Sequence, residues 1–291
     1  MTPRRGERPP VPEALPVPIV DAHTHLDACA QGAGVPADAA AVAQMLERAG
    51  AAGVDRVITV ADDLAAARWA AEAATWDERV FAACAVHPTR TADFGDADKA
   101  VLEELVRQPR VVAVGETGLD YYWDYSPPAA QKDAFAWHID LAKRVGKPLM
   151  IHDRDAHDDI LDVLDAEGAP EDVVFHCFSG DLEFARRCAD RGFVLSFAGA
   201  VTFTNAAPLR EAAAHVPLAQ ILVETDAPYL TPHPFRGRPN EPYAVAYTTR
   251  RMAEVRGMDV GEFASAVSAT ADRLFSLRSV TSQDSRGERL R

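Results

Sequence analysis

Cysteine is scarce in this chain: Cys29, Cys84, Cys177 and Cys188 are the only four in 291 residues, and no two form a CxxC pair. That spacing excludes a disulfide scaffold and fits a reducing compartment, with each thiol acting as a small buried apolar group. No uninterrupted apolar run approaches the roughly 20 residues that cross a bilayer, so no membrane span is expected. Basic charge is short as well, 30 Lys and Arg against 44 Asp and Glu, for a formal net charge of −14. A protein that coats nucleic acid by neutralising phosphates needs the opposite balance. A nuclease is not excluded, because a local cluster of metal ions can hold a phosphate that the remaining surface repels.

The opening stretch MTPRRGERPPVPEALPVP has arginines but no apolar segment after them. It does not read as a signal peptide, and a cytoplasmic location is expected. Its prolines predict an extended or disordered extension over 1–18, and the polar end, 279–291, predicts a flexible tail. Between them there is no Ser/Gly-rich linker, so one domain over 19–278 is expected. Within it, short β-branched or apolar runs at 19–25, 54–61, 80–88, 111–119, 148–154, 173–178, 193–199 and 221–228 alternate with Ala-rich, helix-favouring stretches. In 131–145, Phe135, His138, Ile139, Ala142 and Val145 recur at three- and four-residue steps, the mark of one buried helical stripe. Eight such βα units in about 260 residues predict an α/β fold closed as a (β/α)8 TIM barrel. An open doubly wound sheet would need a phosphate-binding glycine loop after its first strand, and DAHTHLDA supplies none.

Five of the nine histidines, His23, His25, His87, His152 and His176, fall at or near the C-terminal end of a predicted strand, the active-site face of a barrel. Side chains alternate across a strand, so Asp21, His23 and His25 are expected on one face. The same alternation turns Glu116 inward with Val112 and Val114, His152 with Met150, His176 with Val174, and Asp226 with Leu222 and Glu224. A lone histidine is an ordinary core or surface imidazole. Several imidazoles and carboxylates turned into one volume need a compensating cation. Mixed ligands of this kind suit zinc or manganese, with magnesium where carboxylate and water dominate. Six candidates exceed the needs of one tetrahedral zinc and would serve two divalent metal ions per chain, about 3.5–4 Å apart and bridged by a carboxylate.

The stretches DAHTHLD, GETGLDYY, IHDRDA, HCFSGD and LVETDAPYLTP with RGRPNEP, in this order between Ile19 and Leu277, resemble the TatD family of metal-dependent hydrolases. The resemblance implies a TIM barrel, divalent metals and hydrolysis of phosphodiester bonds in DNA, often as a 3′–5′ exonuclease. It also implies that His23 and His25 hold a first metal, Glu116 bridges the pair, His152 and His176 hold the second, and Asp226 ligates the first beside the attacking water. A carboxylate in that place can take the water's proton, which makes Asp226 the candidate general base. Relatives with a carboxylated lysine as bridge form another subclass, since the fourth strand here reads Val-Ala-Val-Gly-Glu.

Substrate contacts are expected from His87 at the third strand end and from Arg154, two residues past His152. Arg236 and Arg238, in the loop after the eighth strand, are further candidates for phosphate. Tyr121, Tyr122 and Trp123 could stack on a base or pack the loop, and Glu224 is expected to support a ligand rather than bind metal. The leading expectation is a deoxyribonuclease with DNA as substrate and no obligate protein partner. Hydrolysis of misacylated tRNA esters or of a small amide keeps the metals and changes the bond. A metal-stabilised interaction protein is the reading from another class.

Overall fold

The computed structural model describes residues 6–277, so the tail expected at 279–291 lies outside the described residues. Eight strands follow in chain order: β1 (Ile19–Thr24), β2 (Val54–Val60), β3 (Val80–Ala83), β4 (Val111–Asp120), β5 (Leu149–Arg154), β6 (Val173–Phe175), β7 (Val194–Phe197) and β8 (Ile221–Val223). All neighbouring pairs are parallel and the sheet order is the sequence order. The ring closes at its top, where Thr24 bridges to Ala227. Two backbone bonds complete that closure, Asp226 N–H to His23 O at 2.9 Å and His25 N–H to Ala227 O at 2.7 Å.

Around the strands run α1 (Leu26–Gly32), α2 (Ala39–Ala51), α3 (Leu64–Ala73), α4 (Asp96–Leu105), α5 (Pro128–Val145), α6 (His157–Glu167), α7 (Leu182–Asp190), α8 (Ala207–His215), α9 (Val245–Arg256) and α10 (Val260–Phe275). The expected (β/α)8 barrel is the observed fold. Four helix starts are fixed by aspartate caps, Asp38, Asp63, Asp181 and Asp259, whose side chains accept first-turn amides. α5 begins with proline in its first turn and ends on Gly146 in the left-handed region, with Phe135, His138, Ile139 and Ala142 buried along the expected stripe.

Covered on both faces, the strands carry apolar side chains on each side, which divide into two layers. Val20, Ile58, Val60, Val112, Met150, Val174, Val194 and Leu222 fill the barrel, while Val57, Val111, Leu149, Phe175, Leu195 and Ile221 face the helices. Ala271, Leu274 and Phe275 of α10 with Leu277 join the inner layer, and Asp272 pairs with Arg56 of β2. The bottom of the barrel is thereby plugged, and polar chemistry is left to the top.

The proline-rich extension is extended, yet over 8–15 it is docked rather than disordered. Its proline carbonyls have no local partner, and two of them accept the hydroxyls of Tyr243 (to Pro9 O, 2.6 Å) and Tyr247 (to Pro10 O, 2.7 Å). Arg8 pairs with the buried Glu241. Leu15 is 5% exposed and donates its N–H to Ala52 O at 3.0 Å. Gly53, at φ +82°, permits this approach, since a Cβ there would lie 2.8 Å from Leu15 N. Sequence reading missed the docking because it lacked the receiving surface. Leu15→Ala is expected to lower unfolding free energy by about 2–5 kcal/mol in urea titration, the range for truncating a buried leucine, whereas a disordered segment would give no change.

Candidate metal centre

Strict alternation does not by itself bring the candidate ligands together. Val20 and Ala22 of β1 face the barrel interior, which would turn His23 away from it. Between Asp21 and Thr24, however, β1 carries one residue more than β2 does between Val57 and Thr59, and the bulge reverses the phase. β4 does the same. Val112 points inward and Val114 outward, and an extra residue between Val114 and Thr117, opposite Leu149 and Ile151, turns Glu116 in. The expected shared face of Asp21 with His23, and of Val114 with Glu116, is corrected accordingly. On β5, β6 and β8 the alternation holds below His152, His176 and Glu224, with Met150, Val174 and Leu222 inside.

Asp21 is a tie rather than a candidate ligand. Its carboxylate accepts Thr225 N–H at 2.8 Å and Thr225 Oγ1–H at 2.6 Å, and burial raises its pKa well above the usual carboxylate range. That tie fixes the residue before Asp226, which sits at φ +51°, a region Asp tolerates better than most residues. Asn240 supports the same turn, donating to Thr225 O at 3.2 Å and Tyr229 O at 2.5 Å.

Glu116 lies at the middle, 4% exposed. Its carboxylate is 2.8 Å from His176 Nε2, 3.6 Å from His152 Nδ1, 3.7 Å from His25 Nε2 and 3.9 Å from His23 Nε2. Asp226 Oδ1 stands 3.6 Å from His25 Nε2 and 3.9 Å from His23 Nε2. The structure thus brings together all six residues expected as metal ligands. Among the described residues four groups have ligand atoms within 4.8 Å of one another: His23, His25 and Glu116; Glu116, His152 and His176; His23, His176 and Asp226; and His87, Asp120 and His152, with Glu116 the one carboxylate that belongs to two of them.

Each ring is aimed by what its other nitrogen meets. His25 Nδ1 pairs with Val60 O at 2.8 Å, leaving Nε2 toward the centre. His152 is reversed: its Nε2 is 2.9 Å from Asp120 Oδ2, so Nδ1 faces Glu116. His176 Nδ1 faces Glu224 Oε1 at 3.4 Å, and the same oxygen accepts Cys177 N–H at 2.7 Å. Asp120 carried no role in the sequence reading. Its signal was present, four residues past Glu116 in GETGLDYY, but that spacing does not name a partner on another strand.

Charge follows this geometry. Burial pushes His23 well below the usual imidazole range, with the neighbouring His176 adding to the effect. Burial would lower His25 too, but the Asp226 hydrogen bond and the Glu116 charge raise it to about 9. Burial opposes an ionised Glu116, yet His176 and the hydrogen bonds from His152 and His176 hold its carboxyl well below normal. His23 and His25 bring two Nε2 atoms within 3.3 Å, a contact that needs a proton or a cation between the lone pairs. Four imidazoles and two carboxylates, nearly all buried, are a donor set that fits divalent metal.

The expected substrate contacts are placed unequally. His87 packs edge-on against His152, ring centres 4.3 Å apart, and burial lowers its pKa to about 3. Its Nδ1 meets Thr89 Oγ1 at 2.7 Å and Thr89 N–H at 3.2 Å, which leaves Nε2 as the nitrogen without a partner in its own loop. Arg154, exposed, stacks 4.1 Å over the Tyr122 ring. Arg236 and Arg238 are exposed beyond β8 and stack on Phe203 and Phe235, at 4.5 and 5.5 Å, without an ion pair or hydrogen bond to the six central residues. Tyr121 turns to Asp159 through its hydroxyl.

Gly118 lets β4 approach β5 at this level. It has φ +135°, and a Cβ there would fall 2.1 Å from His152 O. Gly118→Ala is expected to lower the melting temperature and the metal content together, read by calorimetry and elemental analysis, because it separates the strands that carry Glu116 and His152.

Known proteins agree with this architecture. The family model described as TatD related DNase matches residues 20–276. The uncharacterised metal-dependent hydrolase TatD of Mycobacterium tuberculosis is 56% identical over 264 residues, 89% of this chain and 98% of that protein. A protein of Citrobacter rodentium named 3′-5′ ssDNA/RNA exonuclease TatD is 33% identical over 242 residues, covering 80% and 91%. The crystal structure of YJJV, a TatD homologue of Escherichia coli K12, superposes with a TM-score of 0.82 at 30% identity over 89% of this chain and 98% of its own. A top-face cluster of imidazoles and carboxylates on a (β/α)8 barrel, matched along nearly its whole length, places this chain in the TatD-related DNase family of metal-dependent hydrolases.

Proposed function

We propose that this chain hydrolyses phosphodiester bonds in DNA, from the 3′ end of a strand, with two divalent metal ions per chain. The observation that carries the reading is that Glu116 is the one carboxylate among the described residues that belongs to two donor groups, which suits a carboxylate shared by two cations. The name of the Citrobacter rodentium relative, 3′-5′ ssDNA/RNA exonuclease TatD, supports the choice of bond.

In this reading His23, His25 and Asp226 would hold one ion and His152 and His176 the other, with Glu116 available to each. Bound there, the ions supply positive charge to the non-bridging phosphate oxygens and lower the pKa of water. The remaining work belongs to the chain. Asp226 is the more exposed of the two central carboxylates, 9% against 4% for Glu116, and its Oδ1 would accept the proton of a water held there. Its backbone bond to His23 O keeps that oxygen beside the histidines. His87 offers its Nε2 to the substrate. Arg154 offers a guanidinium without a carboxylate partner among the described residues, and Arg236 and Arg238 serve phosphates farther along the strand. With a net charge of −14, attraction to DNA is local to these groups.

Chelated protein is expected to be inactive, to recover with Mg, Mn or Zn, and to bind up to two ions per chain by elemental analysis. The assay uses end-labelled single- and double-stranded DNA, RNA and an aminoacyl-tRNA. Full activity in metal-free protein, or turnover of the aminoacyl ester without cleavage of DNA, would overturn the reading.

A second test separates the shared carboxylate from the proton acceptor. Glu116→Gln keeps the shape without the charge, so metal content and turnover should fall together. Asp226→Asn keeps an oxygen donor but takes up a proton poorly, so kcat should fall by about 10²–10⁴ with only a modest loss of metal. Near wild-type kcat with both ions bound in Asp226→Asn would remove it as the base.

A further inference from the structure

Tyr122, Trp123 and Tyr125 stand on the loop between β4 and α5, exposed by 55, 45 and 65%. Large aromatic surface left in water marks a binding site more often than a packing defect. Trp123 and Tyr125 are stacked with ring centres 5.4 Å apart and planes 7° from parallel, and Tyr122 meets Trp123 edge-on at 4.9 Å. Beneath Tyr122 lies the Arg154 guanidinium, carried by β5.

The loop is held firmly, and its anchors do not use these side chains. Asp120 Oδ1 accepts the backbone N–H groups of Tyr122 and Trp123, both at 3.0 Å, while its Oδ2 takes His152 Nε2. Gln131 brackets the segment, accepting Asp120 N–H at 2.8 Å and donating to Asp120 O at 3.0 Å and Ser126 O at 2.9 Å. Ser126 Oγ accepts Thr91 and Ala92 N–H, tying the loop to the one that carries His87. One aspartate therefore fixes a candidate metal ligand with one oxygen and the aromatic loop with the other. The spacing between the metal centre and these rings is set before any ligand arrives.

We propose that Tyr122, Trp123 and Tyr125 form a stacking platform for unpaired nucleobases beside the bond to be cleaved, with Arg154 holding an adjacent phosphate. The proposal rests on the DNA reading given above and names the form of substrate it takes, a single strand or a frayed end. A base inside a duplex has both faces covered by its neighbours, so only an unpaired or terminal base can stack on the rings. Every base has a π-face, so the platform grips without sequence preference. Stacking also needs no positive surface, which suits a chain of net charge −14, and the Arg154 guanidinium, 4.1 Å from the Tyr122 ring centre, adds a positive charge beside the rings.

The test uses metal-loaded protein and a nuclease-resistant phosphorothioate single strand with 2-aminopurine near its 3′ end. Binding should quench the 2-aminopurine fluorescence. Trp123→Ala and Tyr125→Ala should each raise Kd by about five- to 100-fold, the span that base–aromatic stacking covers, and Trp123→Phe should restore most of the affinity. A strand with abasic sites in place of its last bases should bind weakly to wild type and no worse to Trp123→Ala. Metal content and melting temperature of each variant show that the fold and centre are intact. Wild-type affinity in both alanine variants, or equal affinity for abasic and base-bearing strands, overturns the platform. If wild type meanwhile cleaves DNA, the proposed function stands without it; if wild type neither binds nor cleaves any strand, both are overturned.

Discussion

Glu116 keeps an ionised carboxylate where burial opposes one, because four imidazole nitrogens lie within 3.9 Å of it. A buried anion of this kind is tolerable only with hydrogen-bonded or cationic partners on several sides. The partners come from β1, β5 and β6, so three strands besides its own must reach one point at the same height. A closed ring of eight parallel strands meets that demand, since its strand ends converge on a single mouth. The apolar filling below, plugged by α10, keeps water away from everything but that mouth.

The closure of the ring and the making of the centre are one event. β1 joins the segment after β8 through bonds made by His23, His25, Asp226 and Ala227, three of which are candidate ligands. Asp21 reinforces the seam through Thr225. Changes at the seam would therefore alter the barrel and the chemistry together, and stability and activity should prove hard to separate there. The aromatic loop is different. The side chains of Tyr122, Trp123 and Tyr125 stand outside the packing, and the loop is held by backbone bonds to Asp120 and by Ser126. Side chains can change on that loop without disturbing the ring.

The supporting residues divide by the nitrogen they engage. Val60 O on His25 Nδ1 and Asp120 on His152 Nε2 lead one ring to present Nε2 and the other Nδ1 to the same carboxylate. A ring presenting the wrong nitrogen would miss the centre by the width of an imidazole. These partners hold the tautomers, and a metal site built without them would be loosely aimed.

Eight apolar runs with intervening helical stretches determined the barrel, since the alternation of β and α patterns leaves few parallel architectures for a chain of this length. Histidines and carboxylates at the ends of those runs determined that the top face carries a polar cluster, and the family resemblance of the motifs named six of them as candidate ligands. The phase of the side chains was beyond the sequence. His23 and Glu116 turn inward because β1 and β4 each carry an extra residue against a neighbour, and a bulge is a property of two paired strands. Asp120 was readable as a residue and unreadable as a partner of His152, because the contact depends on the register of β4 with β5. The docking of Leu15 and of the Pro9 and Pro10 carbonyls was hidden for the same reason. Local pattern fixes what each segment prefers; which buried group meets which is decided only when distant segments share a surface.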